Sequence, residues 1–300
     1  MTIDLICPGC KGELLRKEEL MLCAKCGDGY SLIKGIPVLL ASDNEVFSYS
    51  TCADATSSGF NFGICAAISK YLPDLTLNRF QDKALAKFIN TLARGSNCLI
   101  LGVGNDNILK EKLLAKKLNV KATDVFISNV VDYVCDVTTL PFANSQFDAV
   151  FIIAVLEHVI DPIKAVQEIS RVLKTNGRVF SAIPFMQQVH MGCFDFQRYT
   201  LLGHRWLYSS FELIELAPTS GAGSALLWSI SSFFQSFFKQ KKVNLLIKAI
   251  IRLFLFWIKY FDLLQQNCSN FALGSYFVGV NKKRRVISSR HLIELYPYVS

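Results

Sequence analysis

C-D-V-T-T-L-P-F-A-N-S-Q-F-D-A-V-F-I-I-A-V-L-E-H-V-I-D-P-I-K-A-V-Q-E-I-S-R-V-L-K-T-N-G-R-V-F, residues 135–180, decides the fold class. Phe147–Ala154 is an unbroken apolar run, the pattern of a strand covered on both faces of a parallel sheet. Asp161-Pro162 opens a helix, because proline fits the first turn, where the N–H has no partner anyway. Ala165, Val166, Ile169, Val172 and Leu173 form its buried stripe, and Lys174-Thr175-Asn176-Gly177 ends it before another strand. Strand, helix, strand in this order predicts an α/β sheet.

Upstream, a strand over Cys98–Leu101 runs into Gly102-Val103-Gly104-Asn105-Asp106 and then a helix, Ile108–Leu118. Such a turn brings bare backbone and a helix N-terminus up to a nucleotide-like ligand. The next strand, Val120–Val125, carries Asp124, 20 residues after Gly104, near the spacing of an acid that binds ribose hydroxyls. A cap or turn role for Asp124 is the alternative. Only eleven residues separate Asp124 from Asp136. A parallel crossover usually takes about a dozen or more, so the helix expected here shrinks to a turn around Ile127–Val131. The pocket wall on that side is then thin, or comes from another part of the chain.

These residues resemble the cofactor domain of class I S-adenosylmethionine-dependent methyltransferases of the type 11 kind. The family's usual turn is acidic-x-G-x-G-x-G; here Ile100 stands at the acidic position and Asp106 at the third glycine. The resemblance implies a Rossmann-like, seven-stranded methyltransferase sheet with helices on both faces. It implies that Gly102, Val103, Gly104, Asp124, Asp136, Val137 and Ala154 hold S-adenosylmethionine. Asp136 would accept from the adenine amino group, the Val137 N–H would meet the ring, and Ala154 would leave room for the methionine portion. Glu157 and His158 read as residues that shape the loop and helix start, with a catalytic role as the alternative.

Residues 186–207, M-Q-Q-V-H-M-G-C-F-D-F-Q-R-Y-T-L-L-G-H-R-W-L, resemble the lid of a bacterial methyltransferase subgroup carrying P-F-x-Q-Q-V-H-x-G-x-x-D-F-x-R-[FY]-T-x-x-G-H-R. A neutral oxygen or nitrogen acceptor must lose a proton, which suits a histidine near its natural pKa. His190 and His204 are the candidate bases, with Asp195 or Arg198 orienting substrate. A purely structural polar cluster is the alternative.

Cys7-Pro8-Gly9-Cys10 and Cys23-Ala24-Lys25-Cys26 are two C-x-x-C pairs with twelve residues between them. Two such knuckles brought together make a tetrahedral thiolate cage with no open position. With Y-S-L-I-K-G-I-P-V-L-L at 30–40, the head resembles small bacterial zinc ribbons, which implies a structural zinc on Cys7, Cys10, Cys23 and Cys26. A redox pair is disfavoured, since no thioredoxin-like pattern adjoins the cysteines.

The domains read as a ribbon head (1–42), a linker and cap (43–80) and a methyltransferase domain (81–285), with a tail over 286–300. Within the domain, 186–223 is the lid and 224–266 an apolar helical insertion before the last strand, Phe271–Val280. In that insertion Ser224–Lys239 and Val243–Gln266 read as helices, the second with Lys248, Arg252, Lys259 and Asp262 on one side. These charges argue against a membrane span and allow an interfacial helix or a lipid-like groove; an ordinary buried helical pair or a dimer contact is the alternative.

Hydrophobic residues make up 51% and charged ones 19%, a globular composition. Ten cysteines and no basic, apolar leader point to a reducing compartment, the cytoplasm, with contact to a membrane periphery through 224–266. The formal charge of +8 admits RNA, but no basic stripe with interleaved aromatics stands out. The expected activity is methyl transfer to an O or N atom of a small or lipid-linked acceptor. An rRNA or tRNA methyltransferase and an inactive, methyltransferase-like binding protein are the alternatives.

Overall fold

The computed structural model describes residues 3–47, 72–190, 192–265, 270–283 and 287–295. Most of the 43–80 linker, Arg284 and Arg285 of the K-K-R-R run, and the ends of the tail lie outside them.

The head is two hairpins: β1 (Leu14–Lys17) with β2 (Leu20–Cys23), and β3 (Gly29–Ile33) with β4 (Ile36–Leu39). Lys34 and Gly35 both have positive φ, 52° and 78°, which makes the tight β3–β4 reversal. The head does not stand apart. β4 pairs in parallel with β7 (Tyr133–Cys135), with Val38 opposite Val134 and Leu39 opposite Cys135. The Ile6 N–H donates to the Pro141 carbonyl at 3.0 Å, and Lys11 pairs with Glu168 at 3.1 Å.

Beyond β7 come β6 (Asn119–Asp124), β5 (Asn97–Leu101), β8 (Phe147–Ile153) and β9 (Leu173–Pro184), all parallel. β11 (Gly274–Asn281) then runs antiparallel between β9 and β10 (Phe211–Pro218). The sheet therefore has eleven strands in the order β1-β2-β3-β4-β7-β6-β5-β8-β9-β11-β10, not the seven expected. The reason is the parallel β4–β7 ladder, which continues the sheet into the head.

Helices cover both faces. α1 (Arg79–Asn90) packs Ala84, Leu85, Phe88 and Ile89 with Leu113 of α2 (Ile108–Ala115) over one side. α3 (Pro162–Val172) packs Ala165, Val166, Ile169 and Val172 against the other. Asp161 starts α3 by accepting from the Lys164 N–H at 2.9 Å. Its end differs from expectation: Leu173 is already the first residue of β9, so Lys174–Gly177 lies within the strand's span.

Downstream are α4 (Leu201–Leu207), the edge strand β10 inside the stretch read as lid, α5 (Ala222–Gln235) and α6 (Lys241–Phe254). The expected 243–266 helix breaks at Leu255 and continues as a 3-10 helix, Phe256–Leu263. Of the four charges read on one side, Lys248 is exposed, while Arg252, Lys259 and Asp262 face inward. Arg252 donates to the Pro73 and Leu72 carbonyls, and buried Lys259 donates to the Asp74 carbonyl at 2.6 Å. Asp262, fully buried, accepts from the Gly223 N–H at 2.7 Å and the Ser224 hydroxyl at 2.6 Å, so it caps α5. The apolar side is left outward, with Phe233, Phe237, Leu253, Phe254 and Trp257 each half exposed or more.

Candidate cofactor and acceptor site

Strand order reverses between β5 and β8, so the crevice at their C-terminal ends is where an open α/β sheet binds ligand. The chain crosses that crevice on Gly102 (φ 70°) and Gly104 (φ 62°), a left-handed backbone that favours glycine. A Cβ on Gly102 would come within 2.2 Å of Val155, whereas beside Gly104 nothing lies within 4 Å. The Gly102 and Val103 N–H groups donate to the Thr123 carbonyl at 2.8 and 3.1 Å, which ties the turn to β6. Asp106, at the third glycine position, accepts from the Ile108 N–H at 2.8 Å and so serves the start of α2.

Asp124 accepts from the Gly104 N–H at 2.8 Å and the Phe126 N–H at 3.1 Å. Burial pushes its carboxyl above the usual range, against those backbone donors. No helix follows β6: Phe126–Val131 is a bent segment with Ile127 and Val131 buried. That side is covered by the start of the linker. The Asn44 amide donates to Asp136 Oδ2 at 2.7 Å, while the other Asp136 oxygen accepts from Thr138 N–H and hydroxyl, both at 2.8 Å. Phe47 stacks on Phe194 at 5.7 Å and meets Phe126 edge-on at 6.1 Å, joining linker, the segment after β6 and lid. Nothing local in A-S-D-N-E marks Asn44; its contact spans 92 residues. Val137 is buried at the start of a 3-10 turn, and Ala154 stands exposed at the β8 exit with φ 54°.

The lid brings His190, Asp195 and Arg198 together with Glu157 and His158. Arg198 forks onto Asp195, and its remaining N–H groups go to the Gln187 and Gln188 carbonyls at 2.9 and 3.2 Å. The His190 N–H donates to Asp195 Oδ2 at 2.6 Å. Burial opposes ionisation of Asp195, but the guanidinium and the His190 N–H outweigh it and hold the carboxyl near 2. Arg198 and Asp195 are thus bound to each other and to the lid backbone. Glu157, passed over in the sequence, is fully buried at the centre of the group, and burial raises its carboxyl to about 7. Burial also lowers His158 below its ordinary value.

His204 does not join this group, which corrects its reading as a base. It lies on α4 with no exposure, its Nδ1 2.9 Å from the Ser275 hydroxyl and its Nε2 3.1 Å from Ser181. Burial lowers its pKa to about 3, so it is a neutral core residue. Arg205 is buried beside it, donating to the Tyr208 and Phe211 carbonyls. Outside the lid group, a cleft of about 710 Å³ opens between lid and α5, lined by Gln187, Gln188, Asp195, Arg198, Ser232 and Gln235 among others.

In the head, Cys7 and Cys26 sulfurs lie 3.7 Å apart and Cys10 and Cys23 sulfurs 3.4 Å, and all four lie within 4.8 Å of one another. Sulfurs bound tetrahedrally at about 2.3 Å sit about 3.8 Å apart, so the donor set fits zinc. Gly12 is required there, since a Cβ would come within 3.1 Å of Cys23 Sγ and 3.2 Å of Cys10 Sγ. The Cys26 and Lys25 N–H groups aimed at Cys23 hold its thiol down to about 6, against the opposing effect of burial.

Residues 95–181 match the family profile described as a methyltransferase domain. Among solved structures, the chain is similar to Haemonchus contortus phosphoethanolamine N-methyltransferase 2 in complex with S-adenosyl-L-methionine, at 18% identity and TM-score 0.47, over 67% of this chain and 52% of that one. It is also similar to coclaurine N-methyltransferase bound to N-methylheliamine, at 15% identity and TM-score 0.44, over 68% and 74%. A third is the [4+2]-cyclase SpnF, at 16% identity and TM-score 0.42, over 68% and 80%. The chain thus spans about half the length of the Haemonchus protein. The comparison with curated proteins found no match.

Proposed function

The chain carries a methyltransferase domain over 95–181, and we propose that it is an S-adenosylmethionine-dependent methyltransferase. The observation that carries this reading is the pair of carboxylates around the Gly102–Gly104 turn. Asp124 is locked under that turn by the Gly104 N–H, with its carboxyl at the end of β6 where ribose hydroxyls would come. Asp136 already accepts from a primary amide, the kind of donor an adenine amino group offers. Exposed Ala154 and the open space at Gly104 leave room for the rest. The cofactor supplies an electrophilic methyl on a sulfonium. The chain contributes alignment, exclusion of water and a place for the acceptor's proton. Its acceptor is a small or lipid-linked molecule lying in the cleft beside Asp195 and Arg198, methylated on oxygen or nitrogen.

Two further parts belong to this reading. The four cysteines bind one structural zinc, supported by their spacing and by the Gly12 contacts. The outward apolar side of α5 and α6, with Phe233, Phe234, Phe237 and Phe238 next to Lys239, Lys241 and Lys242, suits a membrane interface at the cytoplasmic surface. Among the described residues no helix is long and apolar enough to cross a membrane.

Calorimetry with zinc-loaded protein tests the cofactor, with Asp136→Ala and Asp124→Ala expected to weaken binding. Metal analysis tests the ribbon, and a content far below one zinc per chain would refute it. Vesicle sedimentation tests the membrane contact: binding to anionic lipid should drop in Phe233→Ser/Phe237→Ser, and equal sedimentation of both proteins would remove it.

A further inference from the structure

The central lid group has a chemistry that methyl transfer alone does not require. Glu157 Oε1 lies 3.7 Å from His158 Nε2 and 3.8 Å from His190 Nε2. One ligand atom from each residue falls within 4.8 Å of the others, and the two rings meet edge-on, 4.9 Å apart. We propose that Glu157, His158 and His190 form a binding site for a divalent first-row transition metal at the acceptor end of the cofactor crevice.

The first support is the state of Glu157. Its side chain has no exposure, and neither carboxylate oxygen has a hydrogen-bond partner. A buried carboxylate without partners is costly, and interiors keep one where something else bonds it. Among the described residues the basic groups within 4.0 Å of it are these two imidazole nitrogens, and a partner that histidine and carboxylate can share is a cation.

The second support is how the imidazoles are held. His158 Nδ1 is 2.8 Å from the Phe194 carbonyl, which requires the proton on Nδ1 and leaves a lone pair on Nε2 facing Glu157. His190 Nδ1 is 3.4 Å from Asp195 Oδ2 and 3.4 Å from Arg198 Nη2. The two N–H groups of Arg198 Nη2 go to Asp195 at 2.7 Å and to the Gln188 carbonyl at 3.2 Å, so the partner left for the ring is the carboxylate. That again puts the proton on Nδ1 and the lone pair on Nε2. A carbonyl behind one histidine and a carboxylate behind the other are the outer contacts that orient metal-binding imidazoles. Asp195 and Arg198 are then positioning residues.

Two nitrogens and one oxygen select manganese, iron, cobalt or zinc over magnesium and calcium. With bonds of about 2.0–2.1 Å, tetrahedral donors sit about 3.4 Å apart, so the two carboxylate–imidazole distances of 3.7 and 3.8 Å would close by a few tenths of an ångström. Three protein donors leave at least one position for an exogenous oxygen. On the methyl-transfer reading, on which this last step rests, that oxygen is an acceptor hydroxyl. Bound to the metal it releases its proton to water at lower pH. Its lone pair forms the new O–C bond as the C–S bond breaks, and that bonding pair stays on sulfur as the thioether. The acceptor class is therefore a hydroxyl compound.

The test uses the full chain with its four cysteines filled by zinc, titrated with manganese(II), a metal that thiolates disfavour, and read by the loss of the free-ion electron paramagnetic resonance signal. Expected is saturable, submillimolar uptake of one manganese per chain. Glu157→Gln should abolish uptake, and Asp195→Asn should weaken it about tenfold to a hundredfold. His190→Gln gives a second ligand deletion, and circular dichroism checks that each variant is folded. Absence of uptake by folded wild-type protein, or uptake by folded Glu157→Gln equal to wild type, overturns the site. Cofactor calorimetry on the same samples separates the claims. Manganese without cofactor binding leaves the metal site and removes methyl transfer, and the converse removes only the metal.

Discussion

The four cysteines of the head and the Glu157–His158–His190 group are both compact sets of metal-type donors, built in opposite ways. In the head each C-x-x-C pair is wrapped by its own backbone: Cys10 N–H points at Cys7 Sγ, and the Lys25 and Cys26 N–H groups point at Cys23 Sγ. On the proposed zinc reading four thiolates would close the coordination sphere, and the head would then hold only itself and the sheet edge it extends. In the lid group, two imidazoles converge on a buried carboxylate whose oxygens have no hydrogen-bond partner. The comparison separates a set that serves folding from one left open to a ligand.

The largest effect should come from breaking the closed set. Stripping zinc with a chelator, or replacing Cys10 and Cys23 by serine, should unfold residues 3–40, because binding of a structural zinc is worth about 10 kcal/mol or more. Cofactor affinity should fall with it, since β4 and Asn44 come from that side. Limited proteolysis with calorimetry reads both, and an intact cofactor site on a cleaved head would show that the two are uncoupled.

The next effect sharpens the contrast between two buried titratable groups of the lid region. Glu157 has a folded value of about 7 above its ordinary 4.5. Below pH 4.5 it is protonated in folded and unfolded chains alike; as pH rises toward 7 the unfolded chain loses its proton first, and stability declines. His204 is the reverse, about 3 in the fold against an ordinary 6.5, so stability declines as pH falls below 6.5. Each contributes about tenfold in the folding equilibrium per pH unit within its window. Urea melts of Glu157→Gln and His204→Gln against wild type, each with zinc on the four cysteines and no other metal added, should give difference profiles of opposite slope. Parallel profiles would contradict the burial assigned to one of them.

Smaller again is Asp136→Ala, which should lower cofactor affinity about tenfold to a hundredfold, the value of a hydrogen bond to a charged group. The smallest is Asn44→Ala, with a loss of about fivefold, near 1 kcal/mol, because Asn44 only orients that carboxylate. An Asn44→Ala effect larger than that of Asp136→Ala would mean that the linker, and not the end of β7, forms the primary contact.

What the sequence disclosed follows the range of the interactions. The β8–α3–β9 run was legible because its signals are local: an apolar run, Asp161-Pro162 at a helix start, and a stripe of helical period. The glycine turn and the loss of the helix after Asp124 were legible from spacing. The docking of β4 on β7 was not, since a strand's pattern does not name the edge it joins. His190 and His204 share one motif, yet α4 turns His204 into the core, where Ser181 and Ser275 receive it. Of the 224–266 charges, Lys248 is exposed, and the contacts of Arg252, Lys259 and Asp262, the Asp262 cap on α5 above all, depend on partners far away in sequence. Glu157 looked like loop architecture because burial without partners leaves no mark on the sequence.

The central claim is that the crevice at Gly102, Gly104, Asp124 and Asp136 holds S-adenosylmethionine. Calorimetric titration of zinc-loaded, full-length protein tests it most directly. The account predicts saturable binding of one cofactor per chain, lost or sharply weakened in Asp136→Ala. Absence of heat and of any shift in thermal unfolding at millimolar cofactor, in protein that is folded and zinc-replete, would contradict it.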